Sequence, residues 1–141
     1  MSQPHIKTQG IKHMPQQRHT RQRQVIEMML REAGRPLLPK ELLGKAQESL
    51  PQLGIATVFR TLKKMVDEGV AKVVNLPGDS PRYERSDLAH HHHFKCCECE
   101  DVFDINGCPG QLEKLLPEGF QLTSHEITLF GRCVNCSAKH P

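Results

Sequence analysis

Apolar positions recur at helical spacing through the first half of the chain and in shorter runs through the second. Val25, Ile26, Met29, Leu30 and Ala33 fall three and four apart, which predicts a helix. Thr20 suits its N-cap and Gly34 its stop. Ahead of it, residues 1–17 are polar, with His5, Lys7, Lys12 and His13, and read as a loose arm or a marginal helix. Pro36 and Pro39 bend the chain into a second short helix marked by Leu42, Leu43, Ala46 and Leu50. Pro51 and Gly54 make the next turn. Val58, Leu62, Met65 and Val66 then form the apolar stripe of a third helix, and Gly69 suits its C-terminal cap. Thr57, Arg60, Thr61 and Lys64 lie on its opposite, polar side.

Residues 70–76 read as a strand, 77–81 (Pro-Gly-Asp-Ser-Pro) as a turn, and 82–85 as a returning strand. Three helices followed by a basic hairpin make a winged helix. In that frame the third helix would enter a DNA groove through Thr57, Arg60, Thr61 and Lys64. Wing residues Lys72, Arg82 and Arg85 would touch phosphate or the minor groove. An ordinary amphipathic helix with a solvated polar face is the rival reading of the third helix taken alone. Residues 86–89 form a short polar link. It divides the chain into a DNA-binding domain over 1–85, a hinge over 86–89, and a second domain over 90–141. In that second part, 102–105 read as a strand. Pro109 opens and Pro117 closes a helix with Leu112, Leu115 and Leu116 for its core. Residues 120–130 read as a longer strand containing His125. The fold class expected is α+β.

Charge sharpens this division. Residues 1–85 hold 15 Lys/Arg against 8 Asp/Glu, and residues 86–141 hold 4 against 8. The basic half suits nucleic acid and the acidic half does not. With 141 residues, one tyrosine and no tryptophan, the core is modest, so metal or dimerisation is expected to supply part of the stability. No apolar run reaches the roughly 18 residues of a membrane span, and no leader-like apolar stretch opens the chain. A cytoplasmic protein without a membrane partner is expected. In that compartment clustered thiols more often bind metal than pair as disulfides.

The densest chemistry lies at residues 90–99, His-His-His-His-Phe-Lys-Cys-Cys-Glu-Cys. On an extended backbone His90 and His92 point one way, His91 and His93 the other, so one strand serves two sites. Cys96 and Cys99 form one Cys-x-x-Cys, and Cys133 and Cys136 a second, 33 residues on. Two such bites complete a closed, structural tetrathiolate zinc site. Two disulfides or a thiol redox pair are the rivals. Cys97 points away as a bystander. An open zinc site using Glu84 or Asp104 to activate water would make a hydrolase, but no His-Glu-x-x-His stands in the chain, and no enzyme is expected. A zinc-stapled interaction module is the remaining alternative.

Taken together, the chain from Thr20 to Cys136 resembles the ferric uptake regulator family of metal-responsive repressors. Thr57-Val58-Phe59-Arg60 with Leu62 is similar to the family's recognition helix, with Phe in place of Tyr. The four histidines, the two Cys-x-x-Cys pairs and His125 repeat its metal pattern in order and spacing. The resemblance implies a winged-helix domain, a hinge and a small α/β dimerisation domain. It implies a homodimer that binds a palindromic operator in double-stranded DNA and represses metal-homeostasis genes when its regulatory metal is bound. It assigns Glu84, His91, His93 and Asp104 to the regulatory metal at the hinge. It assigns His90, His92 and His125 to a second site, where Cys108 stands in the place of a frequent Glu and Glu113 is the fallback. Many members supply a hinge-site histidine from the loop after the first core helix; here that loop reads Arg35-Pro36. This departure argues against peroxide sensing. The nitrogen-rich second site with Cys108 favours Zn2+ as the regulatory metal, with Fe2+ the alternative.

Overall fold

The computed structural model describes residues 15–139. Three helices come first: α1 (Pro15–Ala33), α2 (Pro39–Ala46) and α3 (Ile55–Asp67). Their apolar stripes meet in one core. Ile26 and Leu30 of α1, Leu42 and Ala46 of α2, and Val58, Leu62 and Met65 of α3 are all buried there. Each large aliphatic side chain so removed from water contributes about 1.5–3 kcal/mol. Glu41 accepts a hydrogen bond from the Leu38 backbone N–H at 2.8 Å, closing the start of α2 behind Pro39. Gly34 and Gly69 end α1 and α3 at φ +58 and +73, a conformation glycine adopts without a Cβ clash.

Helix α1 differs from its expected start. It already runs from Pro15, and Thr20 lies inside it, its Oγ1 donating back to the Gln16 carbonyl at 3.0 Å. Pro15 is tolerated in a first turn, and Gln16, Gln17 and Arg18 are good helix formers, so the helix extends through them. Of the arm expected over 1–17, residues 15–17 are therefore helical, and 1–14 lie outside the described residues.

The hairpin follows as β1 (Ala71–Val74) and β2 (Arg82–Arg85), antiparallel, with Ala71 opposite Arg85 and Val74 opposite Arg82. Leu37 pairs with Tyr83 through two 2.9 Å backbone hydrogen bonds, which dock the hairpin on the helices. Along β2 burial alternates. Arg82 and Glu84 are buried and face away from the helical core, while Tyr83 packs against that core. This period-2 pattern directs two charged side chains toward the second half of the molecule.

That half is a three-stranded sheet in the order β4-β3-β5. Strand β3 (His91–Cys96) pairs antiparallel with β4 (Val102–Asn106) and parallel with β5 (Thr128–Gly131). The short helix α4 (Val134–Lys139) follows. Val74 and Leu76 from the hairpin side bury Val102, so the two halves share a small apolar contact.

Two expected elements are reduced. Between Pro109 and Pro117 there is only a 3-10 turn at Leu112–Leu115, entered through Gln111 in the left-handed conformation at φ 52. The two prolines leave too few residues for a stable helix, and Leu115 is 80 % exposed. The strand expected over 120–130 exists only from Thr128, so His125 precedes it rather than lying within it. The parallel ladder starts at His93 opposite Thr128, with the His93 N–H donating to the Ile127 carbonyl at 3.1 Å.

Candidate metal centres

Strand β3 carries the centre of the molecule. Its odd positions, His91, His93 and Lys95, face the hairpin. Its even position His92 faces the other way, toward His90 and His125. Three clusters of metal-type donors result. In each, the donor atoms lie within 4.8 Å of one another.

The first joins Glu84 of β2 to His91 and His93 of β3 and Asp104 of β4. Glu84 Oε2 lies 3.2 Å from His91 Nε2 and 3.4 Å from His93 Nε2. Asp104 Oδ1 lies 3.8 and 3.7 Å from the same two nitrogens. Glu84 is 2 % exposed. Burial pushes its carboxyl up, but hydrogen bonds from His93 and Lys72 outweigh this and hold it below its ordinary value. Asp104 goes the other way, raised by burial and by the facing Glu84 carboxylate. His91 is raised: burial opposes the charge, but the Ala89 carbonyl and Glu84 favour it. Asp104 Oδ1 has no hydrogen-bond partner. Lys72 Nζ forms an ion pair with Glu84 Oε1 at 3.1 Å. A buried and a half-buried carboxylate face each other here, with Asp104 Oδ1 unpartnered; a cation between them removes their repulsion, so the donor set fits a divalent metal. Arg35, in the loop after α1, pairs with Glu41 at 2.9 Å and stands outside this cluster, whose fourth donor is Asp104.

The second cluster holds His90, His92, Cys108 and His125. His125 Nε2 lies 3.1 Å from both His90 Nε2 and Cys108 Sγ. His92 is 3 % exposed, and neither of its ring nitrogens has a partner. Burial, then the neighbouring imidazoles His90 and His125, lower its basicity. A neutral imidazole with a free nitrogen lone pair fits a metal. Glu113, the fallback, is exposed on the 3-10 turn and is not in the cluster.

The third gathers Cys96, Cys99, Cys133 and Cys136, where the tail of β3 meets the end of β5. Cys97 N donates to the Gly131 carbonyl at 2.7 Å, and Cys133 N to Cys96 Sγ at 3.4 Å. That backbone donor brings the Cys96 thiol down to about 6, whereas burial and the neighbouring sulfurs push Cys136 up to about 12. One thiolate forms readily and the next ionise against it. A cation among the four sulfurs removes that repulsion, so the set fits zinc. None of the six cysteines is in a disulfide. Cys97 is exposed and outside all three clusters.

The polar face of α3 is where the sequence put it. Thr57, Arg60, Thr61 and Lys64 line one groove together with Gln16, His19, Thr20 and Arg23 of α1. Arg60 donates to Thr57 Oγ1 at 3.2 Å. The share of α1 in this groove was not foreseen; its residues Gln16, His19, Thr20 and Arg23 recur three and four apart, which is the signal for one helix face. Phe59 is half exposed beside Arg60. Arg82 corrects an expectation. It is 2 % exposed, its Nε lies 2.6 Å from Asp79, its Nη1 3.3 Å from Glu41, and its Nη2 donates to the Glu100 carbonyl at 3.0 Å. A guanidinium committed in this way is not free for phosphate. Lys72 and Arg85 of the hairpin are likewise paired, with Glu84 and Asp87.

Comparison with known proteins is consistent across sequence and structure. The model of the ferric uptake regulator family matches residues 15–130. The ferric uptake regulation protein of Campylobacter jejuni is 27% identical over 125 residues, covering 85% of this chain and 80% of its own. The Helicobacter pylori ferric uptake regulator, described as having three functional metal binding sites, superposes with a TM-score of 0.69 at 25% identity, over 83% of this chain and 80% of its own. A zinc-bound manganese uptake regulator gives a TM-score of 0.69 at 25% identity, over 80% and 88%.

Proposed function

The chain belongs to the ferric uptake regulator family, and from that premise we propose that it is a metal-dependent transcriptional repressor of metal-homeostasis genes. In this reading it acts as a homodimer on a palindromic operator, and its regulatory metal is Zn2+, with Fe2+ the alternative. The family is one of metal-responsive, DNA-binding regulators, not enzymes. The observation that carries the proposal is the convergence of Glu84 with His91, His93 and Asp104. Glu84 belongs to the hairpin that docks on the DNA-binding helices; the other three belong to the second sheet. A divalent ion held by these four would neutralise the facing carboxylates and tie the hairpin to β3. The bound state then favours one orientation of α3 relative to the sheet, and affinity for DNA follows that population.

Residues 1–85 form the DNA-binding domain in this account, 86–89 the hinge and 90–141 the metal-binding dimerisation domain. Thr57, Arg60, Thr61 and Lys64 contact the operator. The four cysteines hold structural zinc, and His90, His92, Cys108 and His125 hold a second metal. Two copies related by a two-fold axis present two α3 helices to successive major grooves, about 34–36 Å apart. A second copy is supported by the apolar side chains left uncovered on the sheet half: Leu115, Phe120, Leu129, Phe130 and Val134 are each at least 50 % exposed. No described helix is long and apolar enough to cross a membrane, and the expected partner is cytoplasmic DNA.

The donor chemistry supports zinc without excluding iron. Two imidazoles and two carboxylates accept several divalent ions, and zinc binds such sets more tightly than ferrous iron or manganese. The test is DNA affinity measured against buffered free Zn2+, Fe2+ and Mn2+ in turn. Tight binding reached at the lowest free concentration with zinc is expected. Equal binding with and without chelator would overturn the reading.

A further inference from the structure

If His90, His92, Cys108 and His125 hold a metal, as proposed above, one of the four donors is a thiol and none is a carboxylate. Cys108 reaches the cluster through its own loop. Gly107 and Gly110 bracket the Cys108-Pro109 pair at φ +102 and +68, backbone that turns the chain sharply after β4. The turn lays Cys108 Sγ 3.1 Å from His125 Nε2. Opposite it, His92 is buried with both ring nitrogens unpartnered. The built site is therefore three imidazoles and one sulfur, beside a hinge cluster of two imidazoles and two carboxylates. Only the hinge set carries the hard oxygen donors that suit manganese and ferrous iron; thiolate is a soft donor and suits zinc.

We propose that Cys108 is the metal-selectivity determinant of this second site, making the His90, His92 and His125 cluster a zinc-type site that disfavours Mn2+ and Fe2+. The less discriminating hinge cluster accepts all three. The chain then holds one zinc-type site and one less discriminating site, on opposite faces of β3. A carboxylate in place of Cys108 would remove that distinction.

The test uses the full-length dimer with zinc kept in the four-cysteine site, verified by native mass spectrometry, in a His93→Ala background that weakens the hinge cluster. Cobalt(II) serves as the spectroscopic probe. Its addition is expected to produce a sulfur-to-cobalt charge-transfer absorption. The band disappears in Cys108→Ser and Cys108→Glu, whose folding is checked by circular dichroism, and stoichiometric zinc displaces the cobalt. Competition titrations are expected to show at least about ten-fold weaker zinc binding for Cys108→Glu, of the size seen when a site loses a supporting group. They are also expected to show a narrowed gap between zinc and manganese. Cobalt binding that is lost on His125→Ala but shows the same absorption in Cys108→Ser as in the parent would overturn the role of Cys108 and leave the metal site standing. Cobalt binding unaffected by His125→Ala would overturn both.

Discussion

Arg82 shows how a single side chain is decided by its neighbours. Its charge suits a phosphate, yet it lies buried among Asp79, Glu41 and the Glu100 carbonyl. Lys95 of β3 also approaches Asp79, at 3.7 Å. These groups link the hairpin turn, α2 and the loop between Cys99 and β4. Removing Arg82 leaves Asp79 and Glu41 facing each other without their shared cation. We expect Arg82→Ala to cost about 3 kcal/mol in urea unfolding, as loss of one partner of a buried ion pair does. The salt dependence of DNA binding should be unchanged in that variant. Arg60→Ala should instead weaken operator binding by about 1–3 kcal/mol and lower the salt slope by about one, measured by fluorescence anisotropy at several salt concentrations. Asp79 adds a pH signature. Burial raises its carboxyl, but Arg82 and the Ser80 N–H outweigh this and set it below its usual 3.8. A carboxyl depressed in the folded state stabilises above its unfolded pKa and loses that contribution as pH falls through the folded value. The stability difference between the parent and Asp79→Asn should therefore be full above pH 3.8 and vanish in stronger acid. The His and Cys donors were legible as types, because imidazole and thiol announce themselves; the places of Glu84, Asp104 and Cys108 came from the family resemblance. The place of Arg82 was not, although strand alternation held the clue: Arg82 shares a face with Glu84, so whatever aims Glu84 inward aims Arg82 inward as well.

At the scale of elements, regular amphipathic segments were read well and short ones poorly. Helices α2 and α3 and both hairpin strands follow from apolar spacing and from glycine and proline punctuation. Leu62 of α3 is fully buried in the helical core, and Leu62→Ala should cost about 2–5 kcal/mol in thermal or urea unfolding. Thr20 was misplaced because a good N-cap residue is also tolerated inside a helix, where its hydroxyl bonds the preceding turn. The segment 109–117 has leucines at helical spacing but only a 3-10 turn, and 120–127 has strand-like content but no ladder. Both lie in the half whose apolar side chains stay uncovered in one chain, so local pattern there points to contacts a single copy does not make. Leu129→Asp combined with Phe130→Asp should shift the protein from dimer to monomer in sedimentation velocity. Unchanged dimer mass would count against this surface as the interface.

For the whole molecule, the organising feature is β3, which divides four histidines between two faces and ends in the cysteine cluster. Its odd face meets Glu84 of the hairpin; its even face meets His125 and Cys108. Metal chemistry is thereby placed where the DNA-binding helices join the sheet. The four-cysteine site has a separate task, since it ties β3 to β5 and α4 in a half with few buried apolar residues. Loss of the zinc proposed for it, by Cys133→Ser or strong chelation, should unfold the sheet half while α1–α3 keep their helical circular dichroism. The hinge cluster should behave differently: its loss spares the fold and uncouples DNA from metal. The most direct measurement is the operator affinity of the parent and of Glu84→Gln, each with the cysteine-bound zinc retained, at low and at saturating free zinc. The account predicts a large gain in affinity with zinc for the parent and little or none for Glu84→Gln at equal thermal stability. A Glu84→Gln protein that gains affinity from zinc as fully as the parent would contradict it.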